Sequence, residues 1–472
     1  MSLERGDPAE QELRRLATLP IGPQIENYEL SSDPNRLFNL VNYAEAIPLP
    51  EHVPSYADLR KGTYPVFEKF LEGLRERLRG VRENGKKVLI VLGTGGTFQS
   101  AETDHGLAPL GSLRESFNAL GLPEDPSVYV ELCDLMNLDS SQMNVDHWRF
   151  LAEAIIAIES KASDIYDAII VTHGTDTMAK GAAYLAFMLQ GFPKSIIFTG
   201  SQEPARKRGS DAKDQMERAI TTAKIASRTE RLIAEVMIAC GLRVTRAVWG
   251  AKLGDKTINV FGPWNQPQGG FDASDWDIAA QTGTLHKLAP ALLDYGTGKS
   301  YGSLKFARHA IDHEHKGPFQ PFTDITNPAD IIPATLTDKS PIAFAGHLIR
   351  QRINILTQLG SATADDRLVA IALEAARRGK IVLFQAPFAD SKVQAGTYAA
   401  GAAVRTHLDV IQRKLPILNT SPAALDAKTN FALSRLGIKQ VGNSPGLGVF
   451  YSSEDLRMFY DLMEQNLVGE LV

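Results

Sequence analysis

A chain of 472 residues, 44% apolar and 22% charged, has the make-up of a soluble globular protein and not of a fibrous or disordered one. That length exceeds what one core ordinarily organises, so two or three domains are expected. The net charge of −5 comes from interspersed acids and bases, which leaves no basic footprint for nucleic acid, and no apolar run is long enough to span a membrane.

The N-terminal stretch MSLERGDPAEQELRRL is charged and lacks the apolar core of a signal peptide, so a cytoplasmic location is expected. Residues 1–85 read as a mostly helical extension. Its Pro-rich middle precedes a predicted helix from Tyr64 to Arg82, in which Phe67, Phe70, Leu71, Leu74 and Leu78 recur at helical spacing opposite Arg and Glu. This extension reads as a packing arm or oligomer contact.

From Lys86 onward strands and helices alternate, as a parallel α/β sheet requires. The predicted strand Val88–Leu92 runs into Gly93-Thr94-Gly95-Gly96-Thr97, and Ser127–Leu135 runs into Leu138-Asp139-Ser140-Ser141-Gln142-Met143. Ala168–Thr172 leads to His173-Gly174-Thr175-Asp176-Thr177, Ser195–Thr199 to Gly200-Ser201-Gln202-Glu203-Pro204, and Glu235–Cys240 to Gly241. One polar loop after a strand is ordinary. Several in succession point to a shared site at the carboxyl ends of the strands, where ligands bind in such sheets. The two cysteines, Cys133 and Cys240, lie inside apolar runs and read as buried thiols of a reducing compartment.

The fold class expected is α/β, with a larger N-terminal parallel-sheet domain carrying a strand-end active site and a smaller C-terminal α/β domain. The first domain is placed at 86–290, an inserted connection at 291–340, and the second domain at 341–472. The stretch 263–340 is rich in Pro, Gly, Asp and His with weak periodicity. Predicted strands beyond it are Ile342–Phe344, Ile353–Thr357 and Ile381–Phe384, with a helix from Arg367 to Arg378 and a last helix bearing Leu456, Phe459 and Met463.

A strand-end hydroxyl becomes a nucleophile only when a base removes its proton and donors stabilise the oxyanion that forms. Thr97 supplies the hydroxyl, the glycine turn supplies backbone N–H groups, and Thr175 with Asp176 adds a second hydroxyl and a carboxylate. With a lysine, this is acyl-transfer chemistry that uses neither histidine nor metal. On spacing alone, the threonines also read as plain turn and cap residues.

GTGGT after a strand, DSSQM, HGTDT, and TGSQEP followed by Ser210-Asp211 occur here in the order found in the bacterial-type L-asparaginase / glutaminase-asparaginase family, which the chain resembles over about residues 86–262 and 341–472. The likeness is strongest to the cytosolic type I branch, through DSSQM and the tail Gln465–Leu471. The resemblance implies Thr97 as nucleophile and Thr175, Asp176 and Lys252 as the proton relay, with Lys256 the alternative lysine. It implies Asp139, Ser140 and Ser141, with the backbone at Gly96 and Gly174, as the substrate-binding set. The implied reaction is hydrolysis of the side-chain amide of asparagine to aspartate and ammonia through a threonine acyl-enzyme, without a cofactor. The implied partners are a small amino-acid amide and further copies of the chain, as a dimer or tetramer, with no nucleic acid and no membrane.

The chain departs from the family at several points. Leu107 stands where a lid tyrosine is usual, Leu359-Gly360-Ser361-Ala362-Thr363 replaces a Gly-x-Gly-Asn turn, and Gln215 replaces an asparagine. Two other readings share these motifs: the ammonia-generating subunit of a tRNA-dependent amidotransferase, and a non-catalytic amino-acid-binding relative. His309, His313 and His315 share metal-ligand spacing, but without a fourth ligand they read as solvated surface residues. Arg206-Lys207-Arg208 reads as a solvated loop, His173 as a residue that orients its loop, and Trp148 as packing.

Overall fold

The structure, a computed structural model, describes residues 53–103, 106–108, 111–227, 234–241, 244–254, 260–263, 319–325, 331–335, 348, 353–357, 366–385, 417–418, 420–439, 441–444, 448–465 and 467–468. A helical turn at Tyr56–Asp58 and a π-turn at Leu59–Thr63 lead into helices α1 (Tyr64–Leu71) and α2 (Leu74–Glu83). The sequence predicts one helix over this span. It breaks because Glu72 is extended and Gly73 sits at φ 68°, a left-handed conformation that suits glycine. Phe67, Leu74 and Leu78 are buried across the break, so the apolar spacing survives it and conceals it.

Next come β1 (Lys87–Gly95), β2 (Ala101–Thr103), β3 (Gly106–Ala108), α3 (Leu113–Ala119), β4 (Val128–Leu138), α4 (Val145–Ala162), β5 (Ala168–Thr172), α5 (Met178–Met188), β6 (Ser195–Thr199), α6 (Ala212–Ala226), β7 (Val236–Ala239) and β8 (Val244–Arg246). The main sheet has six strands in the order β4-β1-β5-β6-β7-β8. Its pairs are parallel except β7 with β8. The fold is therefore mixed α/β around a mostly parallel sheet.

Strand β1 explains itself. Val88 through Leu92 are all fully buried, as a central parallel strand covered on both faces demands. Alternate residues enter opposite layers. Val88, Ile90 and Leu92 join Trp148, Leu151 and Phe187 of α4 and α5. Leu89 and Val91 meet Met216, Ala219 and Ala223 of α6 and Leu113 of α3. The chain runs from β1 outward to β4, then back across β1 to β5, so strand order reverses between β1 and β5. Crevices open at such switch points, at the carboxyl ends of the strands. No helix among the described residues is long and apolar enough to cross a membrane.

A hairpin of β9 (Gly250–Lys252) and β10 (Phe261–Pro263) follows. A second sheet has the order β11 (Ile331–Thr335), β12 (Ile353–Thr357), β13 (Ile381–Gln385), β14 (Ile417–Leu418), all parallel. β11 falls within the stretch read as an inserted connection. Its Pro333 cannot donate to a ladder, and among the described strands β11 lies at the edge of its sheet. Helices α7 (Asp366–Arg377), α8 (Pro422–Arg435) and α9 (Ser453–Met463) complete this part, with a small hairpin of β15 (Gly442–Ser444) and β16 (Gly448–Phe450). The predicted strand Ile342–Phe344 and turn Leu359–Thr363 lie outside the described residues, as do the histidines at 309, 313 and 315.

Helix α8 packs on α5. Tyr184 donates to Asp426 Oδ2 at 3.0 Å and accepts from Asn430 Nδ2 at 2.8 Å, while Lys180 pairs with Asp426 at 3.2 Å. Ser421 at the head of α8 donates to the carbonyl of Val248 at 2.8 Å, just ahead of β9.

Candidate functional site

The site begins where β1 ends. Gly95 pairs with Leu138 of β4 after a register shift, and Gly96 N–H donates to Leu138 O at 2.9 Å. Gly95 and Gly96 hold φ of 100° and 70°. A Cβ on Gly96 would lie 2.4 Å from Gly174 Cα, and a Cβ on Gly174 would lie 2.4 Å from Ser140 Oγ. The Gly96 and Gly174 turns thus touch backbone to backbone, and the Ser140 side chain packs on Gly174, approaches that only glycine permits.

That contact places the two threonines. Thr97 follows Gly96 directly and heads a 3-10 turn to Gln99; Thr175 follows Gly174 directly and is buried. Their hydroxyls make no hydrogen bond among the described residues. Asp176, next in line, is 57% exposed and accepts from Lys252 Nζ at 2.7 Å, whose side chain is 20% exposed. Lys252 comes from β9, where it is the register partner of Phe261. Lys256 lies outside the described residues. Among those described, no hydrogen bond joins the Thr175 hydroxyl to Lys252.

The DSS residues divide. Ser140 is buried against Gly174, and its carbonyl accepts from Thr177 Oγ1 at 2.7 Å, locking the two loops together. Asp139 instead accepts from both the N–H and the hydroxyl of Ser141 at 2.8 Å. Asp139 and Ser141 are tied to each other in a local turn, with Ser141 exposed.

His173 is fully buried. Trp148 Nε1 donates to its Nε2 at 3.4 Å, which leaves Nδ1 to carry the proton and donate to Gly174 O at 2.8 Å. Burial holds this imidazole down at about 4, below its ordinary 6.5. Because the folded value is depressed, the neutral ring contributes stability in full above pH 6.5 that is lost as the pH falls toward 4. This contribution is on the order of 3 kcal/mol. Acid unfolding of the native chain between pH 6.5 and 4.5 is expected to be steeper than that of His173→Gln, in denaturant midpoints taken across that range.

Several residues support these loops without belonging to the proposed catalytic or substrate-binding set. Thr94 donates to Thr172 O at 2.8 Å and ties β1 to β5, in keeping with a structural role for that threonine. Asp211 accepts from the N–H groups of Gln202 and Glu203, and Gln215 Oε1 accepts from Gly241 N–H at 2.8 Å, so these two hold the TGSQEP and Gly241 turns. Gln99 is fully buried beneath the glycine turn. Of these, Gln99 alone belongs to no motif, and only its place just after the glycine turn hints at a role. In the loop after TGSQEP, Lys207 pairs with Glu203 at 2.8 Å. Among the described residues no three His, Cys, Asp or Glu side chains gather as a metal site would require. Cys133 and Cys240 are both free and buried, and burial pushes the Cys240 thiol up to about 12.

Residues 87–281 match the family model described as "Asparaginase, N-terminal". The L-asparaginase of Thermococcus kodakarensis is 35% identical over 136 residues, which is 29% of this chain and 40% of that protein. L-asparaginase 1 of Escherichia coli is 36% identical over 143 residues, again 29% of this chain and 40% of the relative. A glutamyl-tRNA(Gln) amidotransferase subunit of Thermoplasma volcanium is 35% identical over 141 residues, 29% of this chain and 33% of the relative. The chain thus spans about two fifths or less of the length of these relatives. Among solved structures, the L-asparaginase of Thermococcus kodakarensis has a TM-score of 0.58 at 22% identity and L-asparaginase I of Vibrio cholerae 0.55 at 22%. Each covers 82% of this chain and 99% of the other, a likeness of fold.

Proposed function

Because residues 87–281 match an asparaginase N-terminal domain, we propose that the chain is an amidohydrolase that converts asparagine to aspartate and ammonia through an acyl-enzyme on Thr97. The observation that carries this reading is the Gly96–Gly174 contact. It joins the residues that directly precede Thr97 and Thr175, and Asp176, the residue after Thr175, accepts from Lys252.

In this reading Thr97 Oγ attacks the side-chain amide carbon and its proton passes by way of Thr175 toward Lys252. The tetrahedral oxyanion is met by backbone N–H groups of the glycine turns. The relay passes that proton to the amide nitrogen as the C–N bond breaks and ammonia leaves. A water deprotonated by the same relay then attacks the acyl carbon, and aspartate leaves as the proton returns to Thr97 Oγ. Asp176 supplies the switch. Its exposed carboxylate receives the substrate's α-ammonium, which then shares that carboxylate with Lys252. A second cation beside a lysine disfavours its charged form, moving Lys252 toward a base. Ser140, against Gly174, and Ser141 take the α-carboxylate end, with Asp139 beside them. The two buried, unpaired thiols fit a reducing compartment such as the cytoplasm.

Lys252→Met keeps the aliphatic stem and deletes the base. Ammonia release from asparagine is expected to fall by about 10²–10⁴-fold while circular dichroism stays native. Turnover by this variant at the native rate would remove Lys252 from the mechanism. The similarity to a tRNA-dependent amidotransferase component supports a second reading, ammonia supply to a partner enzyme. It predicts that the isolated chain releases little ammonia from asparagine until that partner and its charged tRNA are added. Aspartate binding with no turnover under any condition would favour the amino-acid-binding reading.

A further inference from the structure

Gln99 uses every polar atom it has, in a fully buried position two residues after Thr97. Its N–H donates to Gly96 O at 3.1 Å, and its carbonyl accepts from Gly111 N–H at 2.8 Å. Its Oε1 accepts from Gly95 N–H at 3.1 Å and from Thr172 Oγ1 at 3.4 Å. Its Nε2 donates to Gly111 O and to Asp134 Oδ1, both at 3.3 Å. The Gly95 donor and the Gly111 acceptor leave one orientation of the amide. Burying a primary amide is costly unless each donor and acceptor is met, and here all are.

Two rings result. The loop Gly95–Gln99 is closed by its own last side chain, with Thr97 at the middle. Gly111, where the chain returns from the β2–β3 hairpin, is clamped twice, through both the backbone and the amide of Gln99. Asp134 extends the clamp by accepting from Leu113 N–H at 2.6 Å, at the start of α3.

We propose that Gln99 is a positioning residue that orients Thr97 for attack and fixes the base of the hairpin that follows it. The proposal rests on Thr97 as nucleophile. A misplacement of about 1 Å can cost about 10²-fold in rate. Loss of the amide should therefore appear in kcat and leave KM little changed.

Gln99→Met preserves volume and removes both polar ends. Its kcat for asparagine should drop by about 10–100-fold with KM within about threefold. Gln99→Glu keeps the acceptor for Gly95 but, when ionised, faces Asp134 and Gly111 O with no donor. Protonation restores the donor, so its activity should recover at acid pH relative to the native enzyme, which a merely structural role would not produce. If Gln99→Met does not fold, Gly111→Ala serves instead. Its Cβ would lie 2.5 Å from the guanidinium of Arg206, a long side chain that can swing aside, and 2.8 Å from Gln99 O, levering the returning chain off the clamp with the amide intact.

Deuterium uptake by a peptide spanning 95–112 reads the clamp without reference to catalysis and should rise in Gln99→Met. Activity that persists in Thr97→Ala would defeat the nucleophile reading, whatever the uptake shows. Faster uptake with kcat within about twofold of native in both Gln99→Met and Gly111→Ala would overturn the positioning role alone.

Discussion

Thr97→Ala is expected to lower the rate of ammonia release from asparagine by at least about 10⁴-fold, the scale on which removal of an acyl-transfer nucleophile is felt. The fold should not notice. Thr97 is half-buried, heads a 3-10 turn whose other members Phe98 and Gln99 provide the packing, and makes no side-chain hydrogen bond among the described residues. Stability should therefore change by less than about 0.5 kcal/mol. A native-like melt with no turnover is the expected pair of results; a native-like melt with native turnover rules out the acyl-enzyme on this residue.

Gly96→Ala should do the opposite, breaking structure and activity together. The position combines φ 70° with ψ −172°, a region almost restricted to glycine. A Cβ there would also lie 2.4 Å from Gly174 Cα and 2.5 Å from Gly174 N, and backbone has no rotamer with which to yield. Strain and steric displacement together should cost about 3 kcal/mol or more, seen as a lowered denaturant midpoint. Ammonia release should be lost even at temperatures where the variant is folded, because the displaced loop carries Thr175. An alanine variant with native midpoint and activity would mean that the loops are not packed as described.

Much of this arrangement is legible in the residues. Val88–Leu92, Ala168–Thr172 and Ser195–Thr199 are runs of β-branched and other apolar side chains ended by small or polar residues, and each is a buried strand. What escapes is of two kinds. Some features depend on backbone conformation at one residue, such as the break at Gly73 that leaves the apolar spacing undisturbed. Others depend on partners distant in sequence. Gln99 looks like any polar residue after a turn until Gly111, Asp134 and Thr172 converge on it. The strand β8, only Val244–Arg246, is too short for a periodic signal, and its Arg246 is stabilised inside by Glu235 at 3.0 Å. The pairing of Lys252 with Asp176 and not with Thr175 belongs to this second kind.

The seam between α5 and α8 also bears on how the chain is made. Tyr184 meets Asp426 and Asn430, partners separated from it by 242 and 246 residues. A ribosome adds about 5–20 residues per second, so roughly ten seconds to a minute separates their emergence. During that interval the face of α5 that Phe431 will cover presents Phe187 and the Tyr184 hydroxyl to the solvent. Until α8 is made, the first half should therefore carry an uncovered apolar face, and aggregation of the nascent chain should fall when the last stretch of the chain is translated faster.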